Sequence, residues 1–388
     1  MNIKEFSSKA LLLAALAIMA VSCSDSKDDN SGPGGGDEPT SYTELISTYT
    51  DNVVIPTYAD MKNKAWVLNE KVSSFKNDQT QANLDAVCAA WKDVRAPWEK
   101  TEAFLFGPCG DMGLDVDPNI DTWPFDMDQF ETLLAGSDPL TIDKVSHYDE
   151  NVRGFHTIEY LVFNAGNPRN VLSNPMSARE LEYLVSATQV LRNDCIRVWT
   201  GWRGLSNLDA RDQGAIDEME IIDYWDVSDY LTRLGANSYA EIFKGAKRPY
   251  TSEENVVEEI IDGITTIALE VAENKIALPA SNGDVNQVES QYALNSLVDF
   301  TNNIVSIENA YNGTVSGVRA TNSLASFVAS KDDALDEDIC NAIANAKTKI
   351  NAITAPFRNN LNDRANINAA VEACTEVERL FNQIKTLL

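Results

Sequence analysis

Arg153-Gly154-Phe155-His156-Thr157-Ile158-Glu159-Tyr160-Leu161-Val162-Phe163 is the stretch on which the reading of this chain turns. His156 and Glu159 stand at i and i+3, so on a helix both point the same way, about one turn apart. Phe155, Ile158, Leu161, Val162 and Phe163 cover nearly every other side. A helix that is apolar all round is a buried one. Val152, His156, Glu159 and Phe163 form an i, i+4, i+7, i+11 row, which puts two ionisable groups where core residues belong. Burying such groups is costly unless they are paired or hold a metal. The chain has only two histidines, the other being His147.

Outward from this stretch the pattern stays helical. Strand-like alternation is scarce, and Ala, Leu, Glu, Asn and Lys dominate long periodic segments. The spacing predicts helices over 41–75, 80–104, 126–136, 149–165, 177–203, 217–233, 253–278, 285–311, 332–354 and 364–387. Ser177 before Arg179-Glu180, and Thr251-Ser252 before Glu253-Glu254, read as N-caps with acids in the first turn. Pro279 is read as the end of the seventh helix. Two long loops, 106–124 and about 201–214, interrupt the pattern, and long loops carrying specific aromatic and acidic residues are more often functional than filler. The expected fold is all-α: two helical bundles, 41–205 and 206–388, behind a flexible tether.

The N-terminal end reads as an export signal. Lys4 and Lys9 precede an apolar run from Ala10 to Val21, too short to span a bilayer comfortably. Ala20-Val21-Ser22-Cys23 resembles a bacterial lipobox, which makes 1–22 a signal peptide and Cys23 the acylated residue of a membrane-anchored chain. The other reading is an ordinary signal peptide cut near Ser22. Residues 23–40 are acidic, Gly-rich and nearly free of apolar side chains, so they read as a tether. Both readings export the chain, and the lipid anchor would hold it in the cell envelope, on the periplasmic or the surface face of the outer membrane.

The net charge is −28. It becomes −29 from Cys23 onward, since the first 22 residues carry two lysines and one glutamate. This argues against a nucleic-acid partner, which needs a basic footprint, and suits a protein that attracts cations, with solubility as the other reading of most of the charge. Apart from Cys23 there are Cys88, Cys109, Cys195, Cys340 and Cys374. The odd number leaves at least one without an intrachain partner. Cys340 and Cys374 fall on consecutive expected helices, where a disulfide and two buried thiols are both open.

Three further constellations carry polar residues into apolar surroundings. Leu84, Cys88, Trp91, Arg95, Trp98 and Glu102 share one face of the second helix, and Arg95 and Glu102 break an otherwise apolar seam. They fit either a site facing His156 or a buried Arg–Glu pair that fixes register. Pro97 should kink or break that helix. In the first loop, Asp121 is read as a partner for an Arg or as a ligand, and Trp123 as a cleft wall or a core plug. Tyr292, Asn295, Asp299, Asn302, Ser306 and Asn309 form a polar row in the eighth helix, with Ser290 one turn earlier. That row is read as a wet surface between helices or as a solvated face.

The composition narrows the chemistry. Two histidines preclude a three-His centre, and the His-Glu-x-x-His helix of zinc proteases is absent. No Gly-x-Ser-x-Gly supports a serine nucleophile. A metal here would need oxygen ligands beside His156, with Glu159, Glu102 and Asp121 as candidates. Carboxylates with one imidazole favour a harder ion, such as iron or calcium, over a Cys-rich zinc site, with zinc left open.

These residues together resemble the imelysin family. Gly154-Phe155-His156-Thr157-Ile158-Glu159 is similar to its Gly-x-His-x-x-Glu signature. Trp91, Arg95, Trp98 and Glu102 running into Phe104-Leu105-Phe106-Gly107-Pro108 support it, as does Asp121-x-Trp123-Pro124. Glu289-Ser290-Gln291-Tyr292 through Asn295 to Phe300, with Tyr311-Asn312-Gly313, look like its C-terminal signature. The resemblance implies an all-helical protein in two halves, associated with iron uptake. His156, Glu159, Glu102 and Asp121 would be its metal residues, with Arg95, Trp98, Trp123, Ser290 and Asp299 around them. It makes a lipid-anchored protein binding a metal ion or an iron-bearing ligand the first expectation. An imelysin-type metallopeptidase is the second, and a non-catalytic adaptor for envelope proteins the third.

Overall fold

The computed structural model describes residues 41–110, 113–206 and 208–388. The expected signal peptide, the lipidated Cys23 and the tether lie outside the described residues. Among the described residues the fold is all-α, with one two-residue hairpin, Phe163–Asn164 paired with Asn167–Pro168.

The first bundle is built on three helical columns. Tyr42–Tyr49 passes through a π-helical turn, Thr50–Val54, into Ile55–Asn77, which packs against Gln81–Glu99 and Ala178–Arg203. Local chemistry sets these boundaries. Thr80 accepts from the Asn83 N–H at one start. At another, Ser177 and Glu180 cap each other reciprocally, as their three-residue spacing predicts. The second bundle comprises Glu253–Glu270, Ser296–Asn312, Asp333–Ala352 and Arg364–Ile384. Ser252 caps the first of these, with Glu253 and Glu254 in its first turn. An apolar core runs continuously from one bundle into the other.

The bundles meet where Gln81–Glu99 packs on Ser296–Asn312, and where Glu253–Glu270 packs on the short 3-10 turn Glu102–Phe104. Gly263 permits the second approach. A Cβ there would lie 2.2 Å from the Ala103 carbonyl oxygen. The contact fixes the end of the Gln81–Glu99 helix against the second half of the chain.

Several expected elements differ. The segment 149–165 is a 3-10 turn, Glu150–Val152, followed by a helix only from Gly154 to Val162. The Gln81–Glu99 helix runs through Pro97 and stops two residues later, tightening into 3-10 geometry, so Glu102 leaves the helix. Pro279 does not end its helix. It occupies the first turn of Leu278–Asn282, where its missing N–H is harmless, and Gly283 in the left-handed region closes the segment. The expected helix 285–311 begins only at Ser296, because Ser290 and Leu294 adopt positive φ of 39° and 54°. The loop expected over 201–214 shrinks, since one helix reaches Arg203 and the next begins at Ala210. Cys88, Cys109, Cys195, Cys340 and Cys374 are all thiols, with no disulfide among the described residues.

Candidate functional site

Four segments converge on one buried cluster of charges at the junction of the bundles. Gln81–Glu99 supplies Arg95 and Glu99, and the turn after it supplies Glu102. The short helix Asp117–Asp121 ends on Asp121. Gly154–Val162 brings His156 and Glu159. The second bundle adds Lys275, Glu289, Asp299 and Asn303.

Arg95 is the hub. Its guanidinium lies 2.5 Å from Asp121 Oδ1, 2.8 Å from Glu99 Oε1, 3.0 Å from Asp299 Oδ2 and 3.4 Å from Glu289 Oε1. All five side chains are buried. The Phe155 ring packs 4.8 Å from the guanidinium carbon and shuts out water on one side. Burial pushes Glu99, Glu289 and Asp299 above the usual carboxylate range, although Arg95 opposes the rise in each. Burial also pulls on Lys275, but Glu102, Glu270 and Glu289 more than reverse it and keep its ammonium charged. The ammonium lies 3.5 Å from Glu102, 3.6 Å from Glu270 and 3.9 Å from Glu289.

The histidine is held from one end. Its Nδ1 lies 2.9 Å from Glu159 Oε2. The other oxygen, Glu159 Oε1, accepts the backbone N–H of Tyr292 at 3.0 Å and of Ala293 at 2.8 Å. Both oxygens of Glu159 are thus occupied in fixing the ring. His156 Nε2 is left facing the cluster, 3.2 Å from Asp121 Oδ1 and making no hydrogen bond. Asp121 is itself held by the Trp98 indole N–H. Trp123 stands edge-on to the imidazole, with ring centroids 4.6 Å apart.

Among the described residues, seven carboxylates share this region, from Glu99, Glu102, Asp121, Glu159, Glu270, Glu289 and Asp299. With them stand two permanent cations, Arg95 and Lys275, and one imidazole. Glu289 Oε2 is buried and makes no hydrogen bond, and Glu99 Oε1 is engaged only through its ion pair with Arg95. Glu99, Glu102 and Asp121 each offer an oxygen, and these lie within 4.8 Å of one another. Oxygens at that spacing, backed by an imidazole, are a donor set for a hard cation.

The structure therefore brings His156, Glu159, Asp121, Arg95, Trp98, Trp123 and Asp299 together, with Glu102 at the edge through Lys275. Ser290 is buried next to Glu289, and its hydroxyl makes no hydrogen bond. Asn295, Asp299, Asn302, Ser306 and Asn309 are all buried, so the polar row is not a solvated face. Beside the row, Asn303 donates to Glu99 Oε2 at 2.7 Å. Glu99, Lys275 and Asn303 escaped the sequence reading, and Glu289 entered it only within a family-like motif, with no site role. Glu99 and Asn303, each one turn beyond a residue singled out there (Arg95 and Asp299), carried a helical-spacing signal.

An all-helical protein with a buried histidine–carboxylate centre between two bundles is the class that fold and site define. The chain belongs to the imelysin family, whose sequence profile matches residues 54–384. It is 27% identical over 318 residues to iron-regulated protein A of Synechococcus elongatus, covering 82% of this chain and 78% of that one. It is also similar to the crystal structure of a protein described as an iron-regulated protein A precursor from Parabacteroides distasonis. There the identity is 31% and the TM-score 0.78, covering 91% of this chain and 96% of the other. An imelysin-like protein from Psychrobacter arcticum shares the fold at 15% identity and a TM-score of 0.63, over 87% of this chain and 92% of that one. Among the described residues no helix is long and apolar enough to cross a membrane.

Proposed function

We propose that this chain binds a metal cation at the junction centre, with Glu99, Glu102, Asp121 and His156 Nε2 as donors, and works in iron acquisition at the cell envelope, tethered through Cys23. The observation that carries the reading is the carboxylate excess, which burial makes costly unless a cation or protons offset it. Glu159 serves as the outer partner that fixes the imidazole tautomer, because both its oxygens are occupied. The similarity to proteins described as iron-regulated supports iron as the ion. Peptide hydrolysis fits less well. A hydrolytic metal needs an open position that the scissile bond can reach, and His156 is 1% exposed behind Trp123.

Titration with Fe2+ under anaerobic conditions, and with Mn2+, tests this on wild type, His156→Ala and Glu159→Gln. Wild type should bind one ion. His156→Ala should bind at least about a hundredfold more weakly, and Glu159→Gln roughly ten- to a hundredfold more weakly, as loss of an outer partner does. Equal binding by all three proteins would remove the site.

A further inference from the structure

The heart of the junction centre is shut off from solvent. Arg95, Glu99, Asp121, Glu159 and Glu289 are 0% exposed. An ion that reaches them must cross a wall, and one wall adjoins a large cleft of about 1010 Å³. The cleft adjoins the centre through residues that touch or flank it. Its lining includes Thr122 and Trp123, which follow Asp121 in the chain, and Tyr292, whose N–H holds Glu159. It also includes Arg153, next to the start of the His156 helix.

The charge of the cleft is one-sided. Asp115, Asp117, Asp126, Asp128, Asp149 and Glu150 line it, and among the described residues of its lining Arg153 is the one basic side chain. The Arg153 guanidinium is turned to its own neighbours, donating to the Ser146 carbonyl, the Asn119 side chain and the Tyr224 hydroxyl. A cleft of one sign with low-dielectric walls concentrates counter-ions and speeds their arrival. It repels a metal wrapped in an anionic chelator by the same physics.

Between cleft and imidazole stands Trp123. It lines the cleft and packs on His156, and its indole N–H is buried without an acceptor among the described residues. The neighbouring indoles differ. Trp98 donates to Asp121, and Trp91 donates to the Phe155 carbonyl. The Trp123 ring is held by packing, so turning it aside would break no hydrogen bond.

We propose that this cleft is the loading site of the junction centre, that its substrate is the free hydrated metal cation and not an anionic chelate, and that Trp123 is the residue the ion passes. The proposal rests on the cation-binding reading above. Stopped-flow loading of Mn2+ and Fe2+ into the full mature chain, followed by competition with a chromophoric chelator, tests it. Asp128→Asn/Glu150→Gln should load about tenfold more slowly than wild type at 10 mM salt, and the difference should vanish at 1 M, where the Debye length falls to about 3 Å. Trp123→Ala should load and release ions at least tenfold faster. Fe2+ offered in excess citrate should load far more slowly than free Fe2+. Loading of the double variant at the wild-type rate in low salt would overturn the proposal, as would citrate-bound iron loading as fast as the free ion. The double variant keeps the test open if Trp123→Ala fails to fold. A wild-type chain that takes up no ion would instead sink the underlying cation-binding reading.

Discussion

Replacing Arg95 with methionine will lower the stability of the ion-free protein by about 3–5 kcal/mol, the usual result of removing one partner from a buried ionic network. Methionine keeps much of the volume, so the loss reports charge and hydrogen bonding more than a cavity. Arg95 faces four buried carboxylates within 3.4 Å, and without it Lys275 is the permanent cation that remains beside them among the described residues. Lysine is a poor substitute, because one ammonium cannot reproduce a planar fork that reaches Asp121, Asp299 and Glu289 from separate nitrogens. Partial protonation limits the damage, since burial already raises Glu99, Glu289 and Asp299. A thermal melt followed by circular dichroism should show a fall of roughly 10 °C for Arg95→Met, taking about 2–4 °C per kcal/mol. Added Mn2+ should recover more of the melting temperature in the variant than in wild type, because the ion then supplies the missing charge. A variant that melts within about two degrees of wild type, inside the shift expected for 1 kcal/mol, would mean that protons already neutralise the carboxylates and that no cation is needed to offset them.

The parts of this centre that were legible in the sequence are those on regular α-helices. Arg95, Trp98 and the pair His156–Glu159 obey 3.6-residue spacing: Trp98 continues an apolar seam, and Arg95, His156 and Glu159 break an apolar pattern at recognisable positions. Asp121 and Trp123 were legible through loop chemistry. Lys275 was not, because it lies in the π-helical stretch Val271–Ala277, where the wider turn shifts every later residue off the α-helical count. Glu289 was hidden for another reason. Apolar spacing made 285–311 look like one helix, whereas positive φ at Ser290 and Leu294 breaks it into a loop. That break frees the Tyr292 and Ala293 N–H groups to hold Glu159. A continuous helix would have used those donors internally. The polar row on Ser296–Asn312 was visible, but its burial follows from the docking of the two bundles, which local periodicity does not encode.

Gly154→Ala should have the second large effect, and it separates the site from the fold around it. Gly154 has φ of +75°, and a Cβ there would lie 2.2 Å from the Ile120 carbonyl oxygen and 2.8 Å from that of Asn119. Ile120 immediately precedes Asp121, so the methyl group would press the His156 helix away from the segment that carries Asp121. The 3.2 Å approach of His156 Nε2 to Asp121 Oδ1 is the distance most directly opened. Backbone strain and the clash together should cost about 3 kcal/mol or more, and cation affinity should fall at least about a hundredfold, since about 1 Å of misplacement is enough to disable a preorganised centre. Gly235 provides the control. It has a similar φ of +64°, and a Cβ added there would meet nothing within 4 Å, so Gly235→Ala carries the strain without the clash. That variant should lose only about 1 kcal/mol and bind Mn2+ as wild type does. Melting curves and Mn2+ titrations on both variants decide the matter. If Gly154→Ala and Gly235→Ala bind alike, the close packing of the His156 helix on the Asp121 segment is a feature of the fold, and the glycine of the Gly-x-His-x-x-Glu stretch has no part in setting the centre.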